Sequence, residues 1–301
     1  MKSQFNKYIL PDKLKKLERF PIQVKTIVEG FMSGSHKSPH HGFSVEFKEH
    51  KQYYPGDDLK YIDWRVLAKT DKVYIKRFEE ESNLYINIFL DVSKSMAFSS
   101  DKNSISKLEY SKYIAGTLLY LSLLQKDSPL LSVFSNKIVK QYNRASDFSY
   151  VNDILNNLEE IKPVGKTDFK TVFIKLARSI KKRALVIIIS DFIGDINNIV
   201  EGIKYIKSKK NDVILFSVND LFEKEFPFKG NVKFVDLETN DFVNINANFF
   251  QKKYKENFLK HYRLLKSFAM KSNIDFYQFY TNIDFSKVLY TYMSWRNSIV
   301  K

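Results

Sequence analysis

The sequence predicts an α/β protein with an open, mostly parallel sheet flanked by helices, preceded by a smaller β-rich segment with an N-terminal helix. After Ser82, apolar runs alternate with longer amphipathic stretches, as in parallel strands that are joined by helices. The most apolar run, Ala184 to Ser190, lacks polar alternation, which indicates a central strand that is covered on both faces. We therefore divide the chain into residues 1–82 and 83–301.

The first segment begins with a helical pattern. Residues 11–32 carry apolar side chains at helical spacing, although Pro21 must start a second helix or kink the first. A loop is expected at Ser33 to Gly42. The aromatic-rich runs 43–47 and 72–78 then predict short strands around the turn at 55–58.

The second segment predicts a regular succession of strands and helices, with a hairpin inserted near residues 231–246. Apolar runs predict strands at 85–90, 130–134, 138–141, 184–190, 212–218 and 274–280. Helical spacing of apolar side chains predicts helices at 106–125, 148–158, 169–180, 196–207, 251–270 and 285–295.

Composition limits the classes of function. The chain of 301 residues has no cysteine, which excludes thiolate catalysis and cysteine-ligated zinc and favours a reducing compartment. No apolar run approaches the roughly 20 residues of a membrane-spanning helix, so we expect a cytoplasmic protein without a transmembrane anchor. The net charge of +15 is scattered along the chain, which favours a solvated basic surface over a specific nucleic-acid site.

Oxygen ligands are concentrated where strands of the predicted sheet end. Asp91, Ser93 and Ser95 directly follow the first strand, Asp191 follows the central strand, and Thr167 precedes a helix. Ligands of open parallel sheets bind outside the carboxyl ends of the strands. Carboxylates and hydroxyls suit a hard divalent cation, whereas the alternative reading is that these side chains only cap helices.

This spaced set resembles the metal-ion-dependent adhesion site of von Willebrand factor A domains. The resemblance implies a von Willebrand factor A-like fold and a Mg²⁺ ion, with Mn²⁺ or Ca²⁺ as alternatives. It also implies that Ser93, Ser95 and Thr167 bind the ion directly, that Asp91 and Asp191 act largely through water, and that an acidic residue of a protein partner completes the coordination. Lys166 departs from this pattern because it is a cation beside Thr167.

The run from Phe43 to Ser82 resembles a second pattern, that of the bacterial family called domain of unknown function 58. The matching pieces are Glu46 and Phe47, Tyr54, the PGDD of 55–58, the IDW of 62–64 and the FEEE of 78–81. In that family the segment precedes a von Willebrand A-like domain. The resemblance implies a MoxR-type AAA+ ATPase as partner, together with a client protein, and a role as adaptor or co-chaperone.

Acidic residues of this segment form a further candidate cluster. Asp57, Asp58 and Asp63 lie close in sequence to Arg65. An ion-pair network that fixes the segment is one interpretation. A surface that grips a basic loop of a partner is the other.

Enzymatic function is not expected, and no catalytic residue is assigned. The chain has neither a GxSxG nucleophile motif nor a phosphate-binding loop of the Walker type. Two alternatives to a binding module stay open. A cation at Asp91 could activate water in a metal-dependent hydrolase, and the basic surface could bind polyanions.

Overall fold

The computed structural model describes residues 19–35, 49–53, 62, 64–70, 73–77, 84–101, 104–235 and 241–299. The chain forms two units, one of residues 36–83 and one of residues 1–35 together with 84–301. This division differs from the predicted one, because helix α1 (Phe20–Ser35) belongs to the larger unit. Its buried face packs on helices of that unit, which no feature of the local sequence reveals.

The smaller unit contains a two-stranded antiparallel sheet and a short helix. Strand β1 (Glu49–Gln52) pairs with β2 (Tyr74–Arg77), and α2 (Trp64–Thr70) lies between them in sequence. Strand β2 was predicted, whereas α2 and β1 were not. Of the acidic cluster, Asp57, Asp58 and Asp63 lie outside the described residues, and only the helical backbone of Arg65 is described.

The larger unit follows the predicted order of elements. After α1 it comprises β3 (Tyr85–Asp91), a 3-10 turn (Lys94–Ala97), α3 (Lys107–Leu124), β4 (Ser128–Phe134), β5 (Ile138–Gln141), α4 (Phe148–Glu160), α5 (Phe169–Ser179), β6 (Leu185–Ser190), α6 (Ile196–Ser208), β7 (Asp212–Asn219), α7 (Leu221–Glu225), β8 (Asn231–Val235), β9 (Phe242–Asn246), α8 (Ala247–Lys271), β10 (Asp275–Tyr280) and α9 (Phe285–Ile299). The inserted hairpin is confirmed, because β8 and β9 pair in antiparallel register.

Six strands form the main sheet in the order β10-β7-β6-β3-β4-β5. All neighbours are parallel except β5, which runs antiparallel to β4 at one edge. Ranked by position in the chain, the strands read 3-2-1-4-5-6 from β5, the order of doubly wound sheets that reverse direction at the first strand. The predicted open, mostly parallel sheet is confirmed.

Two hydrophobic layers cover the sheet. Alternate residues of β3 point to opposite faces, so that Ile88 joins one layer and Phe89 the other. Residues of α1, α3, α4 and α9 belong to the first layer, and residues of α5, α6 and α8 belong to the second. Since both faces are covered, the carboxyl ends of the central strands are left as the place for a ligand.

Helix α1 begins beside Pro21, one of the two predicted alternatives, and ends later than predicted, while residues 11–18 lie outside the described part of the chain. It starts at Phe20, with Pro21 in its first turn, where a missing N–H costs no intrahelical hydrogen bond. The helix also continues through Ser33 to Ser35, which had been assigned to a loop. The remainder of the predicted loop, 36–42, lies outside the described residues.

Helix α3 begins where its cap predicts. The Ser106 hydroxyl accepts the N–H of Glu109, whose side chain in turn accepts the Ser106 N–H. This cap fixes Lys107 as the first helical residue. Over the part of the chain that the structure describes, no helix combines the length and the apolar character that crossing a membrane would require.

Candidate metal centre

The candidate site lies where the two central strands end. Strands β3 and β6 are parallel neighbours, so that Asp91 and Asp191 reach the same edge of the sheet. The loop after β3 is pinned to the loop that carries Thr167, because Val164 N–H donates to Val92 O at 2.7 Å and Lys94 N–H donates to Gly165 O at 2.9 Å. Residues 76 positions apart are thereby brought into hydrogen-bond contact.

Asp91 is fully buried at the centre of a cluster of hydroxyl groups. Its Oδ1 accepts the backbone N–H of Ser93 at 2.9 Å and the Thr167 hydroxyl at 3.1 Å. Its Oδ2 accepts the Ser190 hydroxyl at 2.7 Å. The hydroxyls of Ser93 and Ser95 are 3.0 Å apart. The structure therefore brings together Asp91, Ser93, Ser95 and Thr167, and it adds Ser190.

Burial, and secondly the negative charge of Asp191, raise the pKa of Asp91 to about 7. The hydrogen bonds from Ser190 and Ser93 act in the opposite direction, but they do not offset the loss of water. A cation placed near this carboxylate would favour its ionised form. A divalent ion at this site would thus offset the unfavourable effect of burial and of the Asp191 charge on the ionised Asp91 carboxylate.

Asp191 is engaged by a different cation, the ammonium group of Lys107. Lys107 Nζ donates to Asp191 Oδ2 at 2.8 Å and to Glu223 Oε1 at 2.6 Å, and no part of the lysine side chain is exposed. Burial alone would lower the pKa of Lys107, but the charges of Asp191 and Glu223 outweigh it and raise the pKa. Lys107 thus stays protonated, as a permanent positive charge beside the candidate site.

Sequence reasoning missed Lys107 and identified Lys166 as the competing cation. Lys166 is exposed, whereas Lys107 lies inside the protein. A signal was present, because Lys107 is the first residue of α3, where the helix dipole disfavours a positive charge. A lysine at that position needs a specific carboxylate partner. Glu223 gave no comparable signal, because it lies more than one hundred residues away in the sequence.

The backbone after Asp191 is held in a strained shape. Phe192 is buried and has a φ of 53°, a left-handed conformation that bulky side chains rarely adopt. Helix α8 supports it: the Tyr262 hydroxyl donates to Asp191 O at 2.8 Å, and His261 Nε2 lies 2.8 Å from Phe192 O. His261 is thereby assigned a structural role in this loop.

The donor set fits a hard cation through Asp91 and the hydroxyl groups. The described residues contain no group of three or more His, Cys, Asp or Glu side chains that could hold a metal, so the hydroxyls must supply ligands. Ser95 and Thr167 are half-buried, whereas Asp91 and Ser93 are buried. The role of Asp191 through water stays a prediction, because Lys107 occupies its Oδ2.

Comparison with known proteins identifies the family. The family model described as "Protein of unknown function DUF58" matches residues 49–264. The chain belongs to the DUF58 family. A relative is the uncharacterized protein Rv1480 of Mycobacterium tuberculosis, 23% identical over 226 residues that cover 74% of this chain and 70% of the relative.

Solved structures that are similar to this DUF58 chain include two whose sequence identity with it is lower than that of Rv1480. One is an aerotolerance-related membrane protein from Bacteroides fragilis, 18% identical, with a TM-score of 0.46 over 69% of this chain and 97% of the other. Another is the SpRpn10 VWA domain, 13% identical, with a TM-score of 0.36 over 46% of this chain and 76% of the other. The strand order, with β5 as the antiparallel edge, agrees with the predicted von Willebrand factor A-like sheet.

Proposed function

We propose that this DUF58 chain is a divalent-metal-dependent protein-binding module without catalytic activity, and that it is an adaptor or co-chaperone of a MoxR-type AAA+ ATPase. The observation that supports metal dependence is the oxygen cluster of Asp91, Ser93, Ser95 and Thr167 at the carboxyl ends of β3 and β6. A bound Mg²⁺ would link this cluster to a carboxylate of the partner protein. The ATPase as partner is supported by the family resemblance.

The chain's own residues organise this docking point. Thr167 and Ser190 orient the two oxygens of Asp91, and the hydrogen bonds of Val92 and Lys94 hold the loop that carries Ser93 and Ser95. Lys107 pairs with Asp191, which leaves Asp91 as the carboxylate without an ammonium partner among the described residues of the site. A bound divalent cation would offset the remaining negative charge, so that an incoming acidic residue of the partner is attracted instead of repelled.

Thermal unfolding with and without Mg²⁺ or Mn²⁺ tests metal binding. A cation at about 100 times its Kd stabilises the folded state by about 2.7 kcal/mol, which raises the Tm by roughly 5 to 10 °C. Asp91→Ala should abolish this rise, and Thr167→Val should reduce it. Thr171→Val, an exposed threonine one turn into α5, is the matched control and should respond as the wild type does. Equal responses of Asp91→Ala and the wild type would contradict the proposal.

Binding to an immobilised MoxR-type ATPase from the same genome tests the partner. Mg²⁺ must be held constant, since the ATPase needs it for nucleotide, and the variants supply the comparison. We expect Thr167→Val to weaken binding and Thr171→Val to leave it unchanged. If the wild type does not bind, or if both variants bind equally well, the adaptor role is wrong even where metal binding is confirmed.

A further inference from the structure

An apolar groove of about 680 Å³ lies in the same unit as the candidate metal centre. Its floor is aromatic: Phe226 is buried, with its ring 4.6 Å from that of Tyr254 and 5.5 Å from that of Phe234, measured between centroids. The inserted hairpin β8–β9, the short helix α7 and the start of α8 form its walls. Neither the family pattern nor the candidate metal site assigns a role to this groove.

The groove is open, and its rim is apolar. Phe250 and Val235 are each 50% exposed, and Val243 is 59% exposed. Apolar surface continues beyond the rim onto Phe242, which is 57% exposed. Exposed apolar surface of this kind indicates an interaction site, and its extension past the groove favours a protein segment over an enclosed small molecule.

The groove and the candidate metal centre are connected through shared neighbouring residues. Phe98, three residues after Ser95, lines the groove, as does Glu223, whose carboxylate binds Lys107. Lys107 in turn holds Asp191, and its ammonium group is 5.8 Å from the centroid of the Phe98 ring. The groove therefore adjoins the charged residues that pack behind the candidate metal centre.

The charged residues that line the groove indicate what kind of segment it binds. The charged residues among the described residues that line the groove are Glu223, Lys233 and Lys253. Lys107 shares its single positive charge between Glu223 and Asp191, so Glu223 is only partly compensated. The groove is nevertheless basic, because two lysines line it against one carboxylate. An aromatic pocket that also carries lysines is complementary to segments in which large apolar side chains alternate with carboxylates.

We propose that the groove binds an acidic segment of the partner protein, with aromatic or leucine side chains inserted between β8–β9 and α8 and with carboxylates near Lys233 and Lys253. This inference rests on the proposed function and specifies the chemistry of the partner. The two-point contact would place one acidic residue at the metal centre and the apolar anchors in the groove.

Selection from a random-peptide library displayed on phage, with the full chain as target and EDTA present, tests the groove without the metal centre. We expect the recovered peptides to carry Phe, Trp or Leu among Asp and Glu. Phe250→Ala should weaken their binding about tenfold or more, since a half-buried aromatic anchor is lost. Leu264→Ala, 48% exposed on the same helix but outside the groove, is the matched control.

Charge is tested with Lys253→Glu against Lys266→Glu, an exposed lysine farther along α8. The first should weaken binding several-fold, and less at high salt, whereas the second should have no effect. Peptides without acidic residues, equal effects of Phe250→Ala and Leu264→Ala, or recovery of no peptide would overturn the proposal. Binding of dodecanoate in place of peptides, or self-association that Phe250→Ala removes, would also overturn it, in favour of a small amphiphile or a second copy.

These outcomes are independent of the metal. Because the selection is done in EDTA, the absence of a Mg²⁺-dependent rise in Tm would not contradict the groove proposal. Recovery of no peptide would likewise not contradict the metal site. Addition of Mg²⁺ to a bound acidic peptide then tests the two-point contact, which predicts tighter binding for the wild type and no gain for Thr167→Val. If Mg²⁺ tightens peptide binding equally in Thr167→Val, the gain in affinity does not come from the metal centre and the two-point contact is wrong.

Discussion

Lys107 and its two carboxylate partners form a buried ion-pair cluster at the sheet edge. The ammonium group is fully buried, 2.8 Å from Asp191 and 2.6 Å from Glu223. Removing such a charge leaves its partners buried without compensation, which costs far more than the intact group contributes. Burial raises the pKa of Glu223 although Lys107 acts against the rise, so Glu223 depends on the lysine to remain ionised.

We predict that Lys107→Met lowers the free energy of unfolding by about 3 to 5 kcal/mol. Urea denaturation followed by circular dichroism measures the change. Adding Glu223→Gln to Lys107→Met should recover part of the loss, because one unpaired carboxylate is then neutral. As a control, Lys170→Met breaks an ion pair of equal length, 2.6 Å to Glu201, whose side chains are about half exposed. It should leave stability nearly unchanged, and a comparable loss in both variants would show that burial is not decisive.

At the scale of single residues, the sequence predicted the oxygen ligands but not their counter-charges. Asp91, Ser93, Ser95, Thr167 and Asp191 were recognisable because each follows a strand or precedes a helix. Lys107 and Glu223 reach the site from α3 and α7, and only the packing of these elements places them there. Long-range ion pairs leave no periodic pattern in a sequence.

Helices α5 and α6 approach closely where Gly202 faces α5. A Cβ atom at Gly202 would lie 2.9 Å from the carbonyl oxygen of Phe169 and 3.0 Å from Cβ of Phe173. The first of these contacts is with backbone, which cannot rotate away. The absence of a side chain at this position therefore sets the distance between the two helices, and α5 begins only two residues after Thr167.

We predict that Gly202→Ala destabilises the protein by about 1 to 3 kcal/mol, although alanine is the better helix former by about 1 kcal/mol. The steric conflict should also displace the start of α5 and so weaken the Mg²⁺-dependent rise in Tm through Thr167. Thermal and urea unfolding measure both effects. Asn198→Ala, on an exposed position of the same helix, is the control and should be neutral. A stabilised Gly202→Ala would show that the helices can separate at little cost.

At the scale of elements, long periodic segments were predicted well, whereas the short helices α2 and α7 were missed. Helix α3 was placed to within a residue from its apolar periodicity alone, and the Ser106 cap that the structure shows agrees with that start. Helix α7 has only five residues and was missed, although Asp220 and Glu223 form a capping box. Five residues are too few for a period to show, so the stability of α7 comes from its caps and from Lys107.

For the whole molecule, α1 is part of the larger core although residues 36–84 separate it from β3 in the sequence. Ile27, Val24 and Val28 have no exposed surface and belong to the layer that covers one face of the sheet. The residues that match the DUF58 model begin at 49, after this helix. A fragment trimmed to the matching residues would therefore lose one wall of its core.

We predict that Ile27→Ala lowers the free energy of unfolding by about 2 to 5 kcal/mol, because it leaves a cavity against α3 and α4. Ile22→Ala, on the same helix but 51% exposed, should change it little. Urea denaturation measures both variants. If α1 were an independent arm, Ile27→Ala would leave the main unfolding transition unchanged.

The division at residue 82 could not be corrected from the sequence. An amphipathic helix shows which of its faces is buried, but not the element that buries it. The apolar face of α1 is compatible with packing on either unit, and only the contacts with α3 and α4 decide. The fold class was readable because it depends on the order of elements along the chain, whereas the unit boundary depends on contacts distant in sequence.

The burial of Lys107 also governs its covalent reactivity. Acylating reagents attack amines that are both unprotonated and reachable, and Lys107 is neither in the closed structure, since its raised pKa and its burial act together. Exposed lysines on the same surface, such as Lys166, are open to solvent. Acylation at position 107 would therefore report the molecules in which the sheet edge has opened. Its rate would measure how often the edge opens, in a protein that has no cysteine for labelling.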